Sequence, residues 1–465
     1  MTEATRESGP IAILVVHGIG AQEPGESAGR LLAGLARLEP GLASSELGSV
    51  ITIGGQPVRL YEVYWADLLK DHSTRGAFRM TELQSLSWFP WFNHRRGAYR
   101  HERYSLVTLA WWWTALPLIN VLLLFAYYGA GFLAQLVSGT DGPPRGKDQD
   151  KRWWRAAKQA AERSARLTTV DRILDEYVGD VFSYVNSAGR AFGRDDPETA
   201  VAAPIEHAYA RIVQRFYEQL VKAQADGCAE IHVVAHSLGT VVTYHAMSGL
   251  RFEADRRTDA DAIRAAAATI RHVYTIGSPL EKIRFFWPAL FPGGPSLCGT
   301  RVPWDNFVSW FDPVAGTLRR FGDWGAVSNH RLLGGGFFRG HLVYEHSPVF
   351  LAAVTRGLCG RELQAQRTRV EQWRDGLVLV GETLLAPTAL VLTLAAGMAL
   401  FLLTALTPAY LLSLVLRQFL QDDTWIFIEN ATALVFLGSM ALALTLAPVI
   451  RASRVHRRYW AGPPS

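Results

Sequence analysis

Ile231-His232-Val233-Val234-Ala235-His236-Ser237-Leu238-Gly239-Thr240-Val241-Val242 runs from an apolar stretch, through a serine set between small residues, into a second apolar stretch. The first half reads as a strand buried on both faces and the second as an apolar helix, with a nucleophile elbow between them. Such a turn is so tight that side chains two residues before and two after the serine collide; Ala235 and Gly239 keep those positions small. The serine Oγ is thereby held out toward a base and a substrate. Ala235 departs from the G-x-S-x-G form, and a serine in this setting also serves as an ordinary helix N-cap. The motif therefore has to be weighed with the rest of the chain.

A second apolar run, Ile11-Ala12-Ile13-Leu14-Val15-Val16, ends in His17-Gly18-Ile19-Gly20. Acyl transfer passes through a tetrahedral oxyanion, and two backbone N–H groups are the usual device for stabilising it. The elbow would supply one from Leu238 and this glycine loop the other from Ile19. The spacing of Gly18, Gly20 and Gly25 does not fit the G-x-G-x-x-G of a dinucleotide loop. Further along, residues 270–280 read as a strand ending in Gly277-Ser278-Pro279, and residues 304–312 as a strand ending in Asp312. His341 follows, so the chain order is Ser, Asp, His.

On the A-H-S-L-G-T-V-V elbow, the H-G-I-G loop, T-I-G-S-P-L, F-D-P-V-A and H-L-V-Y, the sequence resembles the α/β-hydrolase superfamily, in particular its lipase-like, membrane-associated bacterial members. The resemblance extends from the first strand to His341, apart from an insertion. It implies a catalytic triad in which Ser237 attacks an acyl carbonyl, His341 takes its proton and Asp312 orients the histidine. Asp312 lies where a parallel sheet gathers its functional groups, at a strand's C-terminal end. Asp323 is an alternative acid, in a polar glycine-containing loop. Asp305 stands at the opposite end of the same strand. Among the histidines, His341 follows Gly334-Gly335-Gly336, and His341-Leu342-Val343-Tyr344 has the H-x-x-Y form that opens the last helix in lipase-like relatives. His346, before Ser347-Pro348, is the alternative base, whereas His330 reads as part of a solvated turn. His17 and His236 flank the site in positions suited to shaping loops by hydrogen bonding. Residues 285–292, rich in Phe, Trp and Pro, read either as an acyl-binding wall or as core.

The chain of 465 residues holds more than a hydrolase domain, and the excess is apolar. Residues 105–140, 383–416 and 430–450 contain no Asp, Glu, Lys or Arg. Each is long enough for a bilayer span of about 20 residues. Arg361, Arg367, Arg369 and Arg374 precede the last two segments and Arg451, Arg454, Arg457 and Arg458 follow them. Their connecting loop carries Arg417 against Asp422, Asp423 and Glu429, so the positive-inside rule puts both ends in the cytoplasm. Residues 105–140 interrupt the hydrolase domain and must enter and leave on one face, as a hairpin or re-entrant segment. Arginines and tryptophans flank them on both sides. The polar N-terminus leads to the expectation of no signal peptide, and Cys228, Cys298 and Cys359 form neither a disulfide framework nor a metal-ligand pattern.

The expected organisation is an α/β-hydrolase: a parallel-type sheet flanked by helices, with inserted and C-terminal membrane helices. Residues 1–104 and 141–360 form the two parts of the hydrolase domain, 105–140 the membrane insertion, and 361–465 a C-terminal transmembrane hairpin with a basic tail. The expected function is a membrane-bound serine hydrolase that cleaves acyl esters, lipase- or esterase-like, through a Ser-His-Asp triad and an acyl-enzyme, without a cofactor or metal. Membrane lipids and an acyl-ester substrate are the expected partners, and the bacterial inner membrane the expected location, with the catalytic domain cytoplasmic. The formal charge of +5 brackets apolar segments and forms no nucleic-acid motif. An acyltransferase or thioesterase uses the same triad. A membrane scaffold that keeps this fold without catalysis would share the sequence pattern.

Overall fold

The computed structural model describes residues 9–19, 22–39, 41–42, 48–69, 89–95, 208–249, 258–291, 293–299, 302–310, 314–321, 324–332, 340–342 and 344–363, with isolated positions elsewhere up to 395. The chain divides into two compact units: Met1–Ser73 with Asp180–Ala386 and Gly462–Ser465, and Thr74–Gly179 with Pro387–Ala461. The elements in chain order are β1 (Ile11–Val16), α1 (Glu26–Ala36), β2 (Val50–Ile53), β3 (Gln56–Val63), α2 (Phe89–Arg95), α3 (Ala208–Ala225), β4 (Glu230–His236) and α4 (Leu238–Met247). They continue with α5 (Ala260–Ala267), β5 (Ile270–Ile276), α6 (Leu280–Phe286), β6 (Trp304–Ser309), β7 (Val327–Leu332) and α7 (Pro348–Cys359). Of these, α2 belongs to the second unit and all the others to the first.

Among the described residues seven strands form one sheet in the order β2-β3-β1-β4-β5-β6-β7. β2 is antiparallel to β3, and all other neighbours are parallel. The uninterrupted apolar run of β1 is buried at every position, as a central parallel strand covered on both faces requires. β2 and β3 form a hairpin around Gly54 (φ 57°) and Gly55 (φ 84°), a two-residue loop with positive φ at both positions. From β1 the chain moves toward the β3 edge, and from β4 it moves toward β7. Right-handed crossovers in opposite directions put their helices on opposite faces.

The packing follows this rule. Leu31 and Leu35 of α1 and Phe350, Leu351 and Val354 of α7 share one core with Ile13, Val15, Val234, Ile276 and Phe307 of the sheet. Each fully buried side chain of this kind contributes about 1.5–3 kcal/mol. On the other face α3 and α4 pack against each other and against β1. The direction of winding reverses between β1 and β4, which brings the C-terminal ends of those two strands together at the topological switch point. His17 and Ser237 follow those ends.

At the opposite end of the sheet the structure corrects one expectation. His330 is not in a solvated turn but in β7, where its ring stacks on Phe307 at 4.7 Å. Asp305 on β6 accepts a hydrogen bond from His272 Nε2 of β5 and another from His330 Nε2, both at 2.7 Å. Burial works against ionising the Asp305 carboxyl, but the two imidazoles outweigh it and hold the group below the usual carboxylate range. A carboxyl depressed in this way adds stability above its ordinary titration range and loses it as pH falls through the lower folded value. Asp305→Asn is therefore expected to cost about 1–3 kcal/mol at neutral pH, with a smaller cost in acid. Urea unfolding at about pH 7 and at about pH 2, below the carboxylate range, checks this; equal costs at both would remove the carboxylate as the cause.

Among the described residues no helix is long and apolar enough to cross a membrane. Residues 105–140 and 430–450, and 383–416 apart from isolated positions, lie outside the described residues. The expected membrane insertion and C-terminal hairpin fall on those segments.

Candidate active site

Ser237 sits between β4 and α4 with φ 50° and ψ −126°, the one non-glycine residue of positive φ among those described. Holding an L-residue there costs about 1–3 kcal/mol and is tolerated where the surrounding structure enforces it. The enforcement is visible. Ser237 N–H donates to the Ile276 carbonyl of the neighbouring strand, and the Ser237 carbonyl accepts from both the N–H and the Oγ1 of Thr240. Thr240 Oγ1 is in turn 2.9 Å from Ser278 Oγ. The side chain is not a helix cap, because it makes no capping hydrogen bond. Its Oγ is buried and has no hydrogen-bond partner among the described residues. A buried hydroxyl left without a bond is uncommon outside functional sites.

Gly239 is required for a reason different from the expected one. A Cβ there would lie 2.3 Å from the His17 carbonyl oxygen and 2.5 Å from that of Val16. The end of β1 presses on the start of α4, and that contact, rather than a clash with Ala235, excludes a side chain. Gly18 is equally close to the serine: a Cβ on it would meet Ser237 Cβ at 2.7 Å. The glycine loop thus lies directly against Ser237. His17 locks that loop. Its Nδ1–H donates to the Gly18 carbonyl at 2.7 Å, its Nε2 accepts from Trp65 N–H at 2.9 Å, and its ring stacks on Trp65 at 4.5 Å. Burial lowers its pKa to about 4, so it is a neutral holder of the loop.

Ile19, next to Gly18, is half-buried, and Leu238 opens α4 with an N–H that has no acceptor within the helix. Gly20 lies outside the described residues.

Asp312 lies beyond the end of β6 with all four of its acceptor positions used. Oδ1 accepts from the N–H groups of Val314 and Ala315, and Oδ2 from His341 Nδ1 and Tyr344 Oη, both at 2.7 Å. Burial favours the neutral acid, but His341, Tyr344 and Val314 together hold the carboxyl below the usual range. Asp312 is thus ionised and oriented. With the Nδ1 proton committed to Asp312, His341 Nε2 carries the lone pair, the tautomer a general base needs. The His341 ring stands over the end of β5, where a Cβ on Gly277 would lie 3.0 Å from its Cε1. Ser237 is bonded to Ile276, one residue before, so the serine and the histidine converge on the same turn.

His346 is not part of this cluster. It ends a short 3-10 turn at Tyr344–His346, its Nδ1 is buried without a hydrogen-bond partner among the described residues, and burial lowers its pKa. Asp323 lies outside the described residues. Phe285, Phe286, Trp287 and Phe291 are buried, and Phe291 packs on Tyr244, His245 and Phe321, so this segment is core.

Two residues of the site went unread in the sequence. Tyr344 bonds Asp312 and accepts Ser309 N–H at 2.9 Å, tying the acid to the end of β6. Its signal was the last position of H-x-x-Y. The other is Glu345, buried beside His236 with its Oε1 3.6 Å from His236 Nδ1. Among the described residues no group of three or more His, Cys, Asp or Glu is placed to hold a metal ion. No protein-family model matches the chain, and no curated protein matches its sequence.

Proposed function

We propose that the protein is a membrane-bound serine hydrolase of the α/β-hydrolase type that cleaves acyl esters, with Ser237, His341 and Asp312 as its triad. The observation that carries this reading is the buried Ser237 hydroxyl, on a strained backbone and without a hydrogen-bond partner among the described residues, beside the turn that the Asp312-bonded His341 ring covers. The sheet order supports it, with the serine after the strand at the switch point, the acid after β6 and the histidine after β7. Attachment to the bacterial inner membrane, with the site on the cytoplasmic side, rests on the three uncharged segments and their arginine flanks.

In this mechanism Ser237 Oγ attacks the acyl carbonyl carbon as its proton passes to His341 Nε2. Asp312 stabilises the resulting imidazolium through Nδ1–H. The carbonyl oxygen becomes an oxyanion, met by the N–H groups of Leu238 and Ile19. A donor of this kind is worth about 3–4 kcal/mol in the transition state. Collapse breaks the ester C–O bond, and the imidazolium returns its proton to the leaving alkoxide. Water, activated by the same histidine, then attacks the acyl-serine, releasing the acid and restoring Ser237.

The test is to incubate the full-length protein in membranes with a fluorophosphonate and to assay oxyesters and thioesters of graded chain length. Covalent labelling and ester turnover are expected. Absence of both would support the scaffold reading, and turnover of thioesters alone would move the substrate class.

A further inference from the structure

His236, the residue before the serine, is buried and spends its Nε2–H on the carbonyl oxygen of His341, 2.9 Å away. A carbonyl only accepts, so Nε2 carries the proton and Nδ1 faces the other way. There it meets Glu345 Oε1 at 3.6 Å, and Arg30 Nε of α1 lies 4.0 Å from the same oxygen. The rings of His236 and His341 are 4.9 Å apart and tilted by 33°. His341 is thus held at two points: by its side chain, through Asp312, and by its backbone, through the residue that adjoins the nucleophile. Asp312 alone fixes the ring's tautomer but not the distance between the loop carrying it and the end of β4. The hydrogen bond from His236 spans that gap.

Resting on the hydrolase reading, we infer that His236 is a positioning residue that sets the distance of the His341 base from Ser237. It touches neither the substrate nor the reacting atoms. Its contribution is the geometry of proton transfer, where a misplacement of about 1 Å costs up to about 100-fold in rate.

Two substitutions of equal length separate this role from mere packing. His236→Gln keeps an N–H donor at the reach of Nε2, whereas His236→Met fills the same space without one; His236→Phe replaces the Met variant should it fail to accumulate. The measurements are kcat and KM for an ester and the rate of Ser237 labelling by a fluorophosphonate, on full-length protein in membranes. The variant lacking a donor is expected to lose about 10- to 100-fold in kcat and in labelling rate with KM nearly unchanged, and Gln to recover most of it. Equal rates for the Gln and donor-free variants would overturn the positioning role and leave the hydrolase reading standing. A wild-type protein that neither labels nor turns over would overturn the hydrolase reading, and the inference would fall with it.

Discussion

Ser237→Ala is expected to abolish fluorophosphonate labelling and to lower kcat for ester cleavage by at least about 10⁴-fold. The size follows from the part played by the hydroxyl, whose removal leaves only binding and the oxyanion donors to act on a water. Thermal stability is expected to stay level or to rise, because Ser237 Oγ is buried and makes no hydrogen bond among the described residues, so an unsatisfied polar group leaves the interior. That combination, activity lost and stability kept or gained, distinguishes a nucleophile from a structural serine. The backbone stays strained at φ 50° in the alanine variant, so no relief is expected from that source. Activity within tenfold of wild type in purified Ser237→Ala would exclude this serine as the nucleophile.

The second large effect separates the two candidate bases. His341→Ala is expected to lose about 10³-fold or more in kcat, and His346→Ala about twofold or less. Asp312→Asn belongs with the first. An amide at that position donates to Nδ1, forces the proton onto Nε2 and leaves the wrong tautomer facing the serine, for a loss of about 10⁴-fold. Because Asp312 is held below the usual carboxylate range, its charge disappears only in stronger acid. The wild-type profile of kcat/KM against pH is therefore expected to show no limb from this carboxyl at or above that range. Full activity in His341→Ala together with inactivity in His346→Ala would reverse the assignment.

Of the strands that carry the site, β1 was legible because it is an uninterrupted apolar run, and β4 and β5 because apolar residues dominate their second halves. β1, β4 and β5 are buried on both faces of a parallel sheet over most of their length, and that burial writes itself into consecutive residues. The edge hairpin of β2 and β3 was not read. Its burial alternates along β2 up to the Gly54-Gly55 turn, so no continuous apolar run marks it. Likewise, Asn329-His330-Arg331 resembles a polar turn in isolation. In the structure it is an edge strand whose polar side chains are engaged: His330 by Asp305, Asn329 by Asn306 and Leu318, and Arg331 over the Trp310 ring at 4.7 Å.

By itself the sequence determined the serine turn, the glycine loop, the acid after a strand and a short choice of histidines, because each is a local pattern of residue type against strand end. Only the tertiary structure decided which histidine meets which acid. His341 and Asp312 are 29 positions apart, and His236 and His341 are 105 apart. Contacts over such distances depend on sheet order and on the loops between strands, which no local window of residues encodes. The same convergence decided that Gly239 yields to the end of β1, that Tyr344 secures the acid, and that His236 is spent on a backbone carbonyl.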